Sequence, residues 1–400
     1  MHRRLIPLAA LIAITGCAAI RAHTEKAFEV GLWVQAEGPN RTLDSAARIE
    51  ELIAQARKAG VTDIYAQVYR SGRAWFPTEF ADDSPSRRAG RDPLAYLLKL
   101  ASTPRERPIR VHAWINSFAL ARNKKAPILN ELGEDAVLKD QYGRSLLEYP
   151  PTGKPSWAKG FGLGTPGIFL DPAHPGVRHR LSLIAAELLR RYPALSGIHL
   201  DFIRYPYALP ISPGSRFSPR LDFGYGKSAR ARFRKETGHI APLAGAEAAR
   251  ADFEAWDSWR RDQVTEAVRD VRRTIDALLP GASLSAALLP WPERAYLSAF
   301  QDWRSWLREG ILDKAIVMNY SRDIRLASHI SRGAASLGRD PPDGVKYLII
   351  IGLAVWIFPD PPADLWQEWR DARGAGAAGV ALFSYDQMVG RKEFWRFPLP

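Results

Sequence analysis

Eight short runs rich in branched and aromatic residues recur between residues 28 and 386, most of them separated by stretches with helical spacing. This alternation constrains the fold more than any other feature of the chain. The runs are FEVGLWVQ (Phe28 to Gln35), DIYAQVYR (Asp63 to Arg70), RVHAWINSF (Arg110 to Phe118), GIHLDFIRYP (Gly197 to Pro206), SLSAALLP (Ser283 to Pro290), KAIVMNYS (Lys314 to Ser321), YLIIIGLA (Tyr347 to Ala354) and GVALFSYD (Gly379 to Asp386). Helical spacing is expected over Asp44 to Ala59, Asp92 to Ala101, Val177 to Arg191 and Arg250 to Leu279, the last stopped by Pro280 and Gly281. Near-continuous apolar strands divided by helices imply a parallel sheet, and eight such units close naturally into a (β/α)₈ TIM barrel, with a doubly wound open sheet as the alternative. One barrel domain is expected over residues 28–395, with long insertions after strand three (Ala119 to Pro175) and strand four (Tyr207 to Ala249). Loops that follow strands lie on the C-terminal face of a barrel, so both insertions are expected to wall a substrate groove there.

The first residues bear on where such a barrel would work. A basic start (His2, Arg3, Arg4), an apolar run from Leu5 to Ile14 and the sequence ITGC ending at Cys17 read as a lipoprotein signal peptide over residues 1–16. Cys17 would then be the lipidated residue, followed by a short linker to residue 27. It is the one cysteine in 400 residues, so no intramolecular disulfide is available and an anchor explains its presence. The alternative is an ordinary signal peptide with an incidental cysteine. The anchored reading places the protein in the cell envelope, held to the membrane through Cys17. A net charge of +13 does not then point to nucleic acid as a partner, because the arginines are scattered and an exported protein seldom meets any. The charge reflects either an arginine-rich proteome or attraction to anionic envelope polymers.

Polar residues at the C-terminal ends of the strands would converge on one face. Gln35 and Glu37 follow strand one, Arg70 ends strand two, Asn116 strand three, Asp201 and Arg204 strand four, and Glu293 follows strand five. Asn319 and Tyr320 end strand six and Asp386 strand eight, and Trp33, Trp75, Trp114, Trp291, Trp356 and Tyr385 accompany them. Carboxylates framed by aromatic rings and amides suit glycoside hydrolysis: one carboxylic acid protonates the leaving oxygen, a second group attacks or activates water, and rings stack on sugar faces. Asp201 is the best catalytic candidate, sharing a face with His199 at the two-residue strand period, with a structural ion pair to Arg70 or Arg204 as its alternative. Glu293 and Asp386 are candidates for the second carboxylate, with Glu37 and Asp302 behind them. No metal or other cofactor is expected: His174 and His179 are five residues apart, no strand carries an HxH pair, and no dinucleotide or phosphate loop appears.

Several of these segments together resemble the glycosyl hydrolase-like family ten, a (β/α)₈ group. They are GLWV (Gly31 to Val34), IYAQVYRSGRAWFPTEF (Ile64 to Phe80), VHAWINSF (Val111 to Phe118), LDPAHPGVR (Leu170 to Arg178), GIHLDFIRYP, QDWRSWLREGILD (Gln301 to Asp313), VMNYS (Val317 to Ser321) and ALFSYD. The resemblance implies a glycosidase of the envelope, in a group that includes lipoproteins cutting peptidoglycan strands stripped of their stem peptides. It carries a catalytic role onto Asp201. Some members have a second acidic residue directly after the strand-four Asp, where this chain has Phe202. A catalytically silent glycan-binding or scaffolding barrel, and a hydrolase or deacetylase of another exported polysaccharide, are the competing readings.

Overall fold

The computed structural model describes residues 28–398 apart from 104–106, 159, 211–220, 244–248 and 340–346. The leader, Cys17 and the linker up to residue 27 lie outside the described residues. All eight expected strands form: β1 (Glu29–Val34), β2 (Asp63–Arg70), β3 (Arg110–Asn116), β4 (Gly197–Asp201), β5 (Ser283–Leu288), β6 (Lys314–Asn319), β7 (Leu348–Ala354) and β8 (Gly379–Phe383). Each pairs in parallel with the next, and β8 pairs with β1, so the sheet closes into a barrel. The open-sheet alternative is thereby excluded.

Helices α1 (Ala46–Ala59), α2 (Pro93–Ala101), α3 (Pro175–Arg191), α4 (Arg250–Leu278), α5 (Trp303–Arg308), α6 (Ile324–Arg339) and α7 (Ala363–Gly374) surround it. Their ends follow from local chemistry. Asp92 caps α2 by accepting the Ala95 N–H at 3.0 Å, with Pro93 in the first turn, where a missing N–H costs nothing. The His174 ring nitrogen accepts the Gly176 N–H at 3.2 Å and so caps α3. No described helix is long and apolar enough to cross a membrane.

Strand four is shorter than expected. The apolar run reaches Pro206, but Phe202 takes φ +51°, the left-handed region that a bulky residue rarely enters, and pairing stops at Asp201. The two insertions wall the C-terminal face together. Within the first, Ala119–Ala121 pairs antiparallel with Ile168–Phe169, and Phe161–Leu163 pairs antiparallel with Ala208–Pro210 of the second. Buried Arg260 of α4 pins the second insertion, pairing with Asp222 at 2.8 Å and lying over the rings of Tyr225 and Phe300.

The barrel interior is aromatic. Trp33, Tyr65 and Trp114 point inward with Ala287, Ile316, Ile350 and Ala381. Gly352 of β7 makes room for them: a Cβ there would sit 2.9 Å from Trp33 Cη2. Beneath this layer, at the N-terminal ends of the strands, buried Asp63 meets His112 at 2.8 Å and Lys314 at 3.4 Å, while Lys314 also meets Glu29 at 2.6 Å.

Candidate active site

A groove of about 530 Å³ opens on the C-terminal face of the barrel, where active sites of this architecture are built. Strand alternation decides which side chains reach it. His199 and Asp201 both point inward from β4, so Asp201 stands on the groove floor one layer above His199. Trp33 Nε1–H donates to His199 Nε2 at 3.0 Å. An indole nitrogen only donates, so Nε2 accepts, Nδ1 carries the proton, and it donates to Ser285 Oγ at 3.0 Å. Burial holds His199 well below its ordinary pKa, which keeps the ring neutral.

Asp201 is half-buried and held by N–H groups. Trp114 Nε1–H donates to Oδ2 at 3.2 Å, and the backbone N–H of Phe202 donates to Oδ1 at 2.7 Å. The second bond depends on the left-handed Phe202, a backbone outlier of the kind that gathers at functional sites. Asn116 lies opposite Asp201 in the β3–β4 register, and the Ser117 N–H donates to the Asp201 carbonyl at 2.7 Å. Burial pushes the Asp201 carboxyl up to about 6, against the pull of the Phe202 amide, Arg204, the Trp114 indole and Arg70. Burial, with Asp201 adding to it, raises the Tyr320 phenol well above its ordinary value, so Tyr320 is a neutral donor.

The groove brings together eight of the residues expected there: Trp33, Gln35, Arg70, Trp114, Asp201, Arg204, Trp291 and Tyr320. Two more stand at its edge. Asn116 reaches it through Gln67, whose Nε2–H donates to Asn116 Oδ1 at 3.1 Å, and exposed Trp356 packs edge-on against Tyr320 and Phe383 at 4.9 and 5.4 Å. Glu37 stands behind Arg70, paired to it at 3.0 Å and to Arg73 at 2.8 Å.

Other expected site residues fall elsewhere, each for a local reason. Glu293 does not point into the groove: Pro292 starts a helical turn that leaves Trp291 over the groove and swings Glu293 to the surface, 69 % exposed and paired with Arg304. Asp386 is buried outside the groove, where Oδ1 accepts the Asn40 N–H at 3.0 Å and packs against Gly38. Trp75 is fully buried under the loop after β2 and donates to Asp44 at 2.9 Å. Asn319 faces outward, donating to the Ala327 carbonyl and Ser331 Oγ, because Met318 and Tyr320 take the inward positions on that strand. Tyr385 packs against Trp395 outside the barrel, and Asp302 caps α5 through the Ser305 N–H. Among the described residues Asp201 is therefore the one carboxylate lining the groove.

Phe202 also lines it, as do Gln67, Thr165, Tyr207, Arg294, Met318 and Phe383, which are not among the residues expected there. Parity would have found some of them: Gln67 lies two residues beyond inward Tyr65, and Met318 two beyond inward Ile316. Thr165, Tyr207 and Arg294 sit on connections between strands, where no period applies.

The model of the family described as Glycosyl hydrolase-like 10 matches residues 30–371. The glycosyl hydrolase DigH of Escherichia coli K12 is 26% identical over 278 residues, covering 64% of this chain and 54% of that protein. The glycosyl hydrolase YngK of Bacillus subtilis 168 is 24% identical over 285 residues, covering 66% and 46%. The chain thus spans about half the length of the curated relatives it matches. Among solved structures, the PgaB (BpsB) glycoside hydrolase domain of Bordetella bronchiseptica superposes with a TM-score of 0.60 at 15% identity, covering 91% of this chain and 96% of that one. The β-amylase catalytic domain of Paenibacillus polymyxa superposes at 0.58 and 12%, covering 93% and 97%. At these identities the likeness to solved structures is one of fold.

Proposed function

Because the chain belongs to the glycosyl hydrolase-like 10 family, we propose that it is a glycoside hydrolase of the cell envelope whose substrate is peptidoglycan glycan freed of its stem peptides. The observation that carries this reading is Asp201: a carboxyl raised to about 6, on the floor of an aromatic groove at the C-terminal face of the barrel. A carboxyl so placed is protonated often enough near neutrality to act as general acid on the leaving glycosidic oxygen. Half-buried Trp291 and, at the groove edge, exposed Trp356 offer rings to the sugars above the buried Trp33 and Trp114, and Gln35 and Tyr320 offer polar contacts.

Mechanisms with paired carboxylates need a second acid about 5–9.5 Å away, and neither Glu293 nor Asp386 stands in the groove. That Asp201 is the one carboxylate lining the groove among the described residues favours the substrate-assisted class, in which the 2-acetamido group of the sugar attacks the anomeric carbon while Asp201 protonates the leaving oxygen. Asp201 then takes a proton from the water that opens the cyclic intermediate. Envelope location and a lipid anchor rest on the leader and Cys17. Membrane fractionation of Cys17→Ser tests the anchor: the variant leaves the membrane fraction or stays unprocessed, and unchanged partition and processing refute it.

The deciding experiment incubates the purified protein and Asp201→Asn with intact and amidase-treated sacculi and measures released fragments by mass. Release of glycan fragments from the treated sacculi by the parent, and none by the variant, is expected. A fully active Asp201→Asn protein overturns the assignment. Inhibition by a thiazoline analogue of the cyclic intermediate supports the substrate-assisted step, and indifference to it removes that step.

A further inference from the structure

Arg204 is buried with no counter-ion among the described residues. It is 5 % exposed, one Nη–H donates to the Tyr205 carbonyl at 3.2 Å, and its guanidinium lies 5.1 Å from the ring centroids of both Phe202 and Tyr207. No carboxylate among the described residues forms an ion pair with it, and Asp201 influences it only at longer range. An unpaired guanidinium removed from water is unfavourable unless something satisfies it. Arg294, exposed at the groove rim, also lies over Tyr207, at 5.4 Å, and likewise makes no ion pair among the described residues. The third guanidinium of the groove, Arg70, is already paired with Glu37.

The ring that links the two arginines is fixed by backbone. Gly164 donates its N–H to the Tyr207 carbonyl at 2.9 Å, and a Cβ on Gly164 would come within 2.3 Å of Tyr207 Cε2. The pairing of the two insertions therefore seats Tyr207 against a glycine, with both guanidinium groups among the residues that line the groove with Asp201.

We propose that Arg204 and Arg294, linked by the Tyr207 ring, form a carboxylate-binding subsite, so that the sugar unit seated there carries a free carboxylate. This rests on the reading of the groove as a glycan site and adds the chemical class of the bound unit. The planar guanidinium matches a carboxylate with two parallel N–H···O bonds, and stacking on aromatic rings holds its plane in one orientation. A lactyl ether on an amino sugar presents such a carboxylate only when no peptide amide occupies it; a uronic acid presents one always.

The test uses the full chain carrying Asp201→Asn, so that bound glycan is not consumed, and measures binding by calorimetry. The probes are a GlcNAc–MurNAc tetrasaccharide with free lactyl carboxylates, the same tetrasaccharide as its methylamide, a hyaluronan tetrasaccharide and its carboxyl-reduced form. The free acid of one pair is expected to bind about tenfold more tightly than its neutral counterpart, and that advantage to shrink with added salt. Discrimination within the first pair assigns the lactyl carboxylate, and within the second the uronate. Adding Arg204→Gln brings the ratio close to one. Adding Arg294→Gln, which touches no buried contact, lowers it about threefold and decides the matter should the Arg204 variant fail to fold.

Equal binding of acid and neutral forms in both pairs overturns the subsite, as does a ratio that survives in a folded Arg204→Gln protein and in Arg294→Gln. The two readings fail separately. Discriminating binding without cleavage of any glycan by the parent enzyme leaves the subsite standing and removes the hydrolase. Cleavage with equal kcat/KM for acid and amide does the reverse.

Discussion

At the N-terminal end of the barrel interior, fully buried Asp63 meets His112, Arg110 and Lys314, whereas at the C-terminal end, among the described residues, Asp201 is hydrogen-bonded by N–H groups alone and Arg204 meets rings and a carbonyl without an ion pair. Both ends are built from inward-facing polar residues on the same strands, yet they treat charge in opposite ways. Burial alone would push Asp63 up, but the His112 hydrogen bond together with Lys314 and Arg110 outweighs it and holds the carboxyl well below the usual carboxylate range. Burial wins at Asp201. A paired charge closes the floor of the barrel, while an unpaired one is left for a ligand or a proton transfer.

The largest effect that would break this contrast is loss of turnover in Asp201→Asn, by about 10³-fold for removal of a general acid. Sacculus binding should persist and stability should not fall. The sign follows from the raised pKa: the folded state binds the Asp201 proton more tightly than the unfolded chain, so Asp201 favours folding most at low pH and loses that contribution as pH rises through about 6. The asparagine carries no such charge, and its unfolding free energy at pH 8 should exceed the parent's by on the order of 2 kcal/mol. A lower melting temperature for Asp201→Asn would make the residue structural.

At the other end, Asp63→Ala should lower stability by about 3–5 kcal/mol, because buried His112 loses its carboxylate partner and buried Lys314 keeps only Glu29, while groove binding by the folded fraction stays unchanged. Since the Asp63 carboxyl is held low, its contribution is present above the ordinary carboxylate pKa and is lost as pH falls below it. Chemical denaturation at pH 7 and pH 3 checks both statements, and equal losses from Asp63→Ala at the two values would contradict the pairing.

The pH profile of kcat/KM sharpens the comparison from the catalytic side. Protonated Asp201 is the acid, so kcat/KM should fall above about pH 6, roughly tenfold per unit. Tyr320 and His199 should add no limb there, as burial keeps both neutral. A profile flat between pH 6 and 8 counts against Asp201 as acid. The smallest effects belong to the carboxylates outside the groove: Asp386→Asn should cost about 1 kcal/mol through the Asn40 contact, and Glu293→Gln less than about 0.5 kcal/mol, both with turnover within a factor of two. A tenfold loss of turnover in Glu293→Gln would return it to the site.

Much of the barrel was legible because a strand's own residues carry its signal. The run Asp63–Arg70 is read to the residue, and the others differ mainly where an apolar run outlasts its pairing, as at Phe202. Asp201 was legible too, since His199 and Asp201 share a face whatever surrounds them. Glu293, Asp386 and Tyr385 were misplaced because each lies past the end of a strand. There the alternation lapses, and one proline or one short helix decides which way a side chain turns.

By itself, then, the sequence determined the eight repeating units, their parallel closure and the single inward Asp of β4, because each is a matter of period and local propensity. The tertiary structure decided which charges find partners. Arg70 is paired with Glu37 from another strand end and Asp63 with Lys314 from 251 positions away, whereas Arg204 is left to the rings of Phe202 and Tyr207. Pairing at such separations is a property of the closed barrel and its two interlocked insertions, and no spacing along the chain encodes it.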